Sequence, residues 1–146
     1  MSRVRILGVG SPAGDDQAGW LVVDALQGAG LDACKLDRPG ANLVSLLAGV
    51  DHVIVIDAMQ GGGAPGEIRR FERNDWRAYG RGLSSHGFGV LDALSLAEAL
   101  GCLPKRLELY GIEIASADPG AGPGPEVRAA VEGLAQRIVA SLELAP

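Results

Sequence analysis

The chain has only two cysteines, Cys34 and Cys102, far apart and without CxxC spacing. Neither a zinc site nor a disulfide framework can be built from them, and they read as two reduced, half-buried thiols. Positive charge is also scarce. Thirteen Lys and Arg against eighteen Asp and Glu leave a net charge of −5, which argues against nucleic acid or an anionic membrane as a partner. No apolar run approaches the length of a membrane span, and the N-terminus has neither the hydrophobic core nor the cleavage site of a signal peptide, so the expected compartment is the cytoplasm. Internal repeats and domain-sized linkers are absent as well. The 146 residues, 47% hydrophobic and 21% charged, are therefore expected to form one domain over 1–146, with a core that needs no covalent staple.

What the chain does have is a sequence of strand-to-helix turns. Val4 to Val9 is an apolar run that reads as a buried strand, and Ala18, Leu21, Val22, Ala25 and Leu26 recur at helical spacing behind it. Gly28 and Gly30 signal the helix end, and Leu31 to Leu36 is short enough for a second strand. A turn at Asp37-Arg38-Pro39-Gly40 precedes a short helical pattern in Leu43, Val44, Leu46 and Leu47. The β-branched run Val53-Ile54-Val55-Ile56 has the composition of a central parallel strand covered on both faces, and Asp57 is expected at its carboxyl end. Gly66 to Phe71 reads as an edge strand whose arginines, Arg69 and Arg70, face water together with Arg73. Val90, Ala93, Leu94, Ala97 and Leu100 form an amphipathic helix closed by Gly101. Pro104 to Tyr110 is the next strand, continued to Ile114 past Gly111, which is expected to mark a bulge. Pro125 starts a last helix through Val127, Val131, Leu134 and Ile138. This alternation predicts an α/β fold, a parallel sheet with helices on both faces.

The first loop carries the most chemistry. Gly8-x-Gly10 at a strand-to-helix turn suits a phosphate, because backbone amides can approach it at the helix N-terminus. Asp15 and Asp16 oppose that reading, since two carboxylates already satisfy the positive end of the helix dipole and repel an anion. A cation is the better occupant. In an open parallel sheet, loops converge at the carboxyl ends of the strands. Asp16 after the first strand, Asp57 at the third and His86 ahead of the amphipathic helix can share one crevice there. Two carboxylates and an imidazole make an open divalent-metal site with positions left for substrate. Each also has an ordinary reading: Asp15 first of all as a helix N-cap, Asp57 as a strand end bonding a neighbouring loop, and His86 as a structural loop histidine. His52, at the other edge of the sheet, is expected as a surface or packing residue. Spacing alone does not establish the site.

The order of motifs adds to this. Ile6-Leu7-Gly8-Val9-Gly10 with Asp15-Asp16-x-x-Gly19, then Val55-Ile56-Asp57-Ala58 with Pro65-Gly66, Ser84-Ser85-His86-Gly87, and Leu109-Tyr110-Gly111-Ile112-Glu113, resembles the hydrogenase maturation endopeptidases over nearly the whole chain. The resemblance implies a three-layer α/β sandwich around a twisted, mostly parallel five-stranded sheet. It implies an enzyme that trims the C-terminal extension from the large-subunit precursor of nickel-iron hydrogenase after nickel insertion, with Asp16, Asp57 and His86 as catalytic, nickel-contacting residues. The nickel would come with the precursor, and no organic cofactor is implied. Departures fall in the first loop: Ser11-Pro12 stands where Asn commonly follows the second glycine, the loop is one residue shorter than in some members, and Gln17-Ala18 replaces a frequent Gly-Val. Two other functions remain as alternatives. One is a dinucleotide-binding domain using Gly8-x-Gly10-x-x-Ala13 with Asp37 on the ribose; the other is a non-catalytic protein that docks on the precursor through Trp76 and Tyr79.

Overall fold

The computed structural model describes residues 4–11, 14–37, 40–60, 63–72, 90–115 and 122–143. In chain order these form β1 (Val4–Val9), a 3-10 turn (Gly14–Gln17), α1 (Ala18–Gly28), β2 (Ala33–Leu36), α2 (Gly40–Leu47), β3 (His52–Met59), β4 (Ile68–Glu72), α3 (Val90–Ala99), β5 (Arg106–Glu113) and α4 (Pro125–Glu143). The five strands make one sheet in the order β2-β1-β3-β5-β4. All neighbours are parallel except β4, which runs antiparallel to β5 at the edge.

Alternation along the strands sorts the core into two layers. Ile6, Ile54, Ile56, Tyr110 and Ile112 point to one face and pack against Val22, Val23 and Leu26 of α1 and Val127, Val131 and Leu134 of α4. Leu7, Val9, Val53, Val55, Leu107 and Leu109 point to the other, against Leu43 and Leu47 of α2 and Val90, Ala93, Leu94 and Ala97 of α3. Because β1, β3 and β5 are covered on both sides, apolar residues of each strand are buried on both faces, most plainly in the unbroken run Val53 to Ile56 of β3. The three-layer α/β sandwich is the architecture expected from the sequence.

Helix ends follow local chemistry. Gly30, at φ +84°, lets α1 close with Leu31 N–H donating to the Leu26 carbonyl and Gly30 N–H to that of Gln27, a termination only glycine enters without strain. Pro125 opens α4 as expected.

Three expectations are revised. β3 continues two residues past Asp57, because Asp57, Ala58 and Met59 keep pairing with Gly111, Ile112 and Glu113 of β5. That same unbroken register shows no bulge at Gly111. The β4 arginines do not simply face water: Arg70 donates to the buried Glu108 at 2.6 Å and Arg69 Nε lies 3.4 Å from Glu113, a residue 1% exposed. A strand with two adjacent Arg reads as solvated until the neighbouring strand places a carboxylate within reach of each one. Arg73 lies outside the described residues.

His52 takes the buried of its two expected roles, with an ion-pair partner in Glu108. Burial pushes the Glu108 carboxyl up, but hydrogen bonds from His52 and Arg70, with the charge of Arg106 nearby, outweigh it and hold the carboxyl at about 2. Its bond raises the Arg70 guanidinium in turn.

The contact between α1 and the sheet is closest at two glycines. A Cβ on Gly19 would stand 2.4 Å from the Val9 carbonyl oxygen and 2.8 Å from that of Ile56, and one on Gly8 would stand 2.3 Å from the Gly19 oxygen. Both clashes are with backbone, which has no rotamer to yield. Gly19→Ala is accordingly expected to lower stability by about 1–3 kcal/mol in urea unfolding, the usual cost of overpacking. An unchanged midpoint would contradict this packing.

Candidate functional site

The 2-1-3 strand order puts a topological switch point between β1 and β3, where the chains leaving the two strands part toward opposite edges of the sheet, to β2 and to β4, and a crevice opens outside the carboxyl ends. β1 passes into the acidic 3-10 turn and then α1 on one face. β3 carries Asp57, which shares the parity of Val53 and Val55 and so projects to the α2 and α3 face. Gly19 touches the carbonyls of Val9 and Ile56 together. The turn holding Asp16 is thus seated over the ends of β1 and β3, beside the peptide that precedes Asp57.

Asp16 is half-buried. One of its carboxylate oxygens accepts from Ser11 Oγ at 2.5 Å, and its carbonyl accepts from Ser11 N–H at 3.2 Å, which closes the loop into a small ring. Gly10 is needed inside that ring, since a Cβ there would lie 2.6 Å from the Asp16 carbonyl oxygen. Ser11 is therefore the partner of Asp16 at the position where the resemblance expects Asn. A short polar side chain one residue after Gly10 was its only sequence signal. Asp57 is half-buried as well, and its Oδ1 accepts from Ala58 N–H at 2.8 Å.

Asp15 does something else than expected. It does not stand at the N-cap of α1, which is Gln17 and makes no side-chain cap hydrogen bond. Its carboxylate is 5% exposed and accepts from Gly124 N–H at 2.7 Å and Ala115 N–H at 3.0 Å. Gly124 immediately precedes α4, so the negative charge sits at the N-terminus of a different helix. The local pattern gave no sign of this, because the partners are 100 and 109 residues away.

His86 lies outside the described residues, as do Ser84, Ser85, Trp76 and Tyr79. Val90, four positions after His86, is buried at the start of α3 in the layer that Asp57 faces. Among the described residues no three His, Cys, Asp or Glu side chains gather to hold an ion. Of the three expected site residues the structure describes two, Asp16 in the turn after β1 and Asp57 near the carboxyl end of β3.

Comparison with known proteins places the fold. A family model described as hydrogenase maturation protease matches residues 38–141. The chain belongs to the hydrogenase maturation protease family. The hydrogenase 2 maturation protease of Escherichia coli (strain K12) is 30% identical over 148 residues, spanning 96% of this chain and 90% of that relative. The solved structure of the hydrogenase maturating endopeptidase HybD from E. coli matches with a TM-score of 0.84 at 29% identity, over 97% of this chain and 92% of that one. The [NiFe] hydrogenase maturation protease HybD from Thermococcus kodakarensis matches at 0.80 and 26% identity, over 96% and 98%. This family of peptide-bond hydrolases accounts for the sandwich and its sheet order, and the chain is an enzyme of that kind. The dinucleotide alternative has no support in the maturation-protease fold, where an acidic turn precedes α1 in place of an open helix N-terminus. No helix among the described residues is long and apolar enough to cross a membrane.

Proposed function

We propose that this maturation protease removes the C-terminal extension of a nickel-iron hydrogenase large-subunit precursor, and that it acts only after nickel has been inserted. In this reading Asp16, Asp57 and His86 complete the coordination of a nickel ion delivered by the substrate and held there by cysteines. Two carboxylate oxygens and an imidazole nitrogen are donors that such an ion accepts. Three protein donors leave the remaining positions to the precursor. An incomplete donor set also has a kinetic logic, because a tight site would fill with free metal and lose the ability to tell a loaded precursor from an empty one. The reaction would take place in the cytoplasm, before the hydrogenase is assembled.

The observation that carries the reading is the seating of the Asp16 turn over the ends of β1 and β3 next to Asp57. It sets Asp16 and Asp57, 41 positions apart in the chain, at the same ends of neighbouring parallel strands, which supports the reading in a protein of the maturation protease family. The test is to incubate the purified protein with nickel-loaded and with nickel-free large-subunit precursor and weigh the products by mass spectrometry. Loss of a C-terminal peptide from the loaded form alone is the expected result. Equal cleavage of both forms would remove the nickel gate, and cleavage of neither would remove the substrate assignment.

A further inference from the structure

We infer that Asp15 is a positioning residue for Asp16: it fastens the acidic turn to the β5–α4 connection so that the neighbouring carboxylate is held toward the β1/β3 crevice. This deepens the proposed function and rests on it for the role of Asp16. The two aspartates are consecutive, yet their side chains part. Asp15 turns inward and is nearly fully buried, while Asp16 stays half-exposed with Ser11. A buried carboxylate is costly unless it is well bonded, and Asp15 is bonded across the fold, to the amide of Ala115 just beyond β5 and to that of Gly124 just before α4. Each is a charge-assisted bond, shorter and stronger than a neutral one.

The turn is four residues long and passes into α1 at Gln17, which makes no side-chain cap hydrogen bond. The bonds from Ser11 to Asp16 lie within the same loop, whereas those of Asp15 reach across the fold. The rim it joins is itself anchored: Gly66, at φ +89°, lies so close to α4 that a Cβ would come within 2.6 Å of the Glu126 carbonyl oxygen, and Gly66 N–H donates to the Glu113 carbonyl at 2.9 Å. Asp15 thereby references the candidate metal-contacting loop to the β3–β4 loop and to the start of α4, and a shift of either would be passed to Asp16. Groups that orient a metal ligand typically change affinity or rate by about 10- to 100-fold when removed.

The test uses Asp15→Asn, which keeps the shape but turns an amide donor toward the two N–H groups, and Asp15→Ser, which keeps a small acceptor. Both are made in a Trp76→Phe background, where Trp20 is the remaining tryptophan. Trp20 donates its indole N–H to the Leu36 carbonyl at 3.0 Å, and its ring flanks Gly10, which also abuts the Asp16 carbonyl, so its emission reports the turn without any precursor. At a temperature where thermal melts show both variants folded, the expected result is a shifted Trp20 emission and a fall of about tenfold or more in kcat on the nickel-loaded precursor, with KM within about threefold. A kcat within about twofold of the parent would make Asp15 merely structural and overturn the inference, as would parental Trp20 emission in both variants. If the unaltered chain itself cleaves no loaded precursor, the peptidase reading fails separately, and the emission still decides whether Asp15 sets the turn.

Discussion

Asp16→Asn is expected to cut processing of the nickel-loaded precursor by about a thousandfold or more, equivalent to about 4 kcal/mol of lost transition-state stabilisation, while the melting temperature stays within about 2 °C. The substitution removes the charge and keeps an oxygen that can accept from Ser11 Oγ, so the loop ring at 2.5 Å survives. Asp16 is half-exposed and lies outside both core layers, so nothing in the packing should answer to the change. Asp57→Asn and His86→Ala should lose activity to a similar extent if the three residues share one ion. The measurement is initial cleavage rate by mass spectrometry with a thermal melt on the same preparation. Full activity in the Asp16 variant would take it out of the proposed set. A large fall in melting temperature would instead make the residue a support of the fold.

The opposite pattern is expected at the other end of the sheet. Glu108→Ala should destabilise the fold by about 3 kcal/mol, because it leaves the buried His52 without its carboxylate and takes from Arg70 its buried partner, leaving it the exposed Glu72. For a chain of this length that is a fall in melting temperature of about 10 °C. His52 and Glu108 sit in the amino-terminal halves of β3 and β5, with Arg70 reaching Glu108 from β4, away from the carboxyl-end crevice, so cleavage below the melting transition should be little changed. The pH dependence follows from the direction of the shift. The Glu108 carboxyl is lowered from its ordinary 4.5 to about 2 in the folded protein. A carboxyl lowered on folding contributes stability that is fully present above the unfolded value and is lost as pH falls through the folded one. A depression of that size corresponds to about 3 kcal/mol at neutral pH. The stability gap between wild type and Glu108→Ala, measured by urea unfolding, should therefore narrow by about 2 kcal/mol between pH 7 and pH 3. A gap that stays constant over that range would mean that the carboxylate charge is not what holds this corner together.

The layers of the sandwich were legible because burial on both faces leaves a strong mark on composition: Val53 to Ile56 could belong only to a covered strand or a buried helix, and their β-branching decided between the two. Helix ends were legible at Gly30, Gly101 and Pro125, where one residue type has a conformational reason to stand. The extent of β3 was not. Whether Asp57 ends a strand or lies within it depends on a partner strand fifty residues on, and β5 supplies that pairing through Glu113. The partners of the β4 arginines were not legible for the same reason: Arg69 and Arg70 are plain in the sequence, but the carboxylates they meet, Glu113 and Glu108, belong to β5. Asp15 is the sharpest instance. A local rule makes it the cap of the helix that follows, whereas the fold uses it on amides at Ala115 and Gly124.

From its amino-acid order alone this protein determined its class, a parallel sheet between helices, and the residue types gathered in its loops, since hydrophobic period and turn chemistry are local properties that each segment carries with it. Only the tertiary structure decided which of two neighbouring carboxylates is buried in the frame. Asp15 and Asp16 are chemically identical, and what separates them is that two distant backbone donors meet Asp15, while Asp16 stays half-exposed beside Ser11.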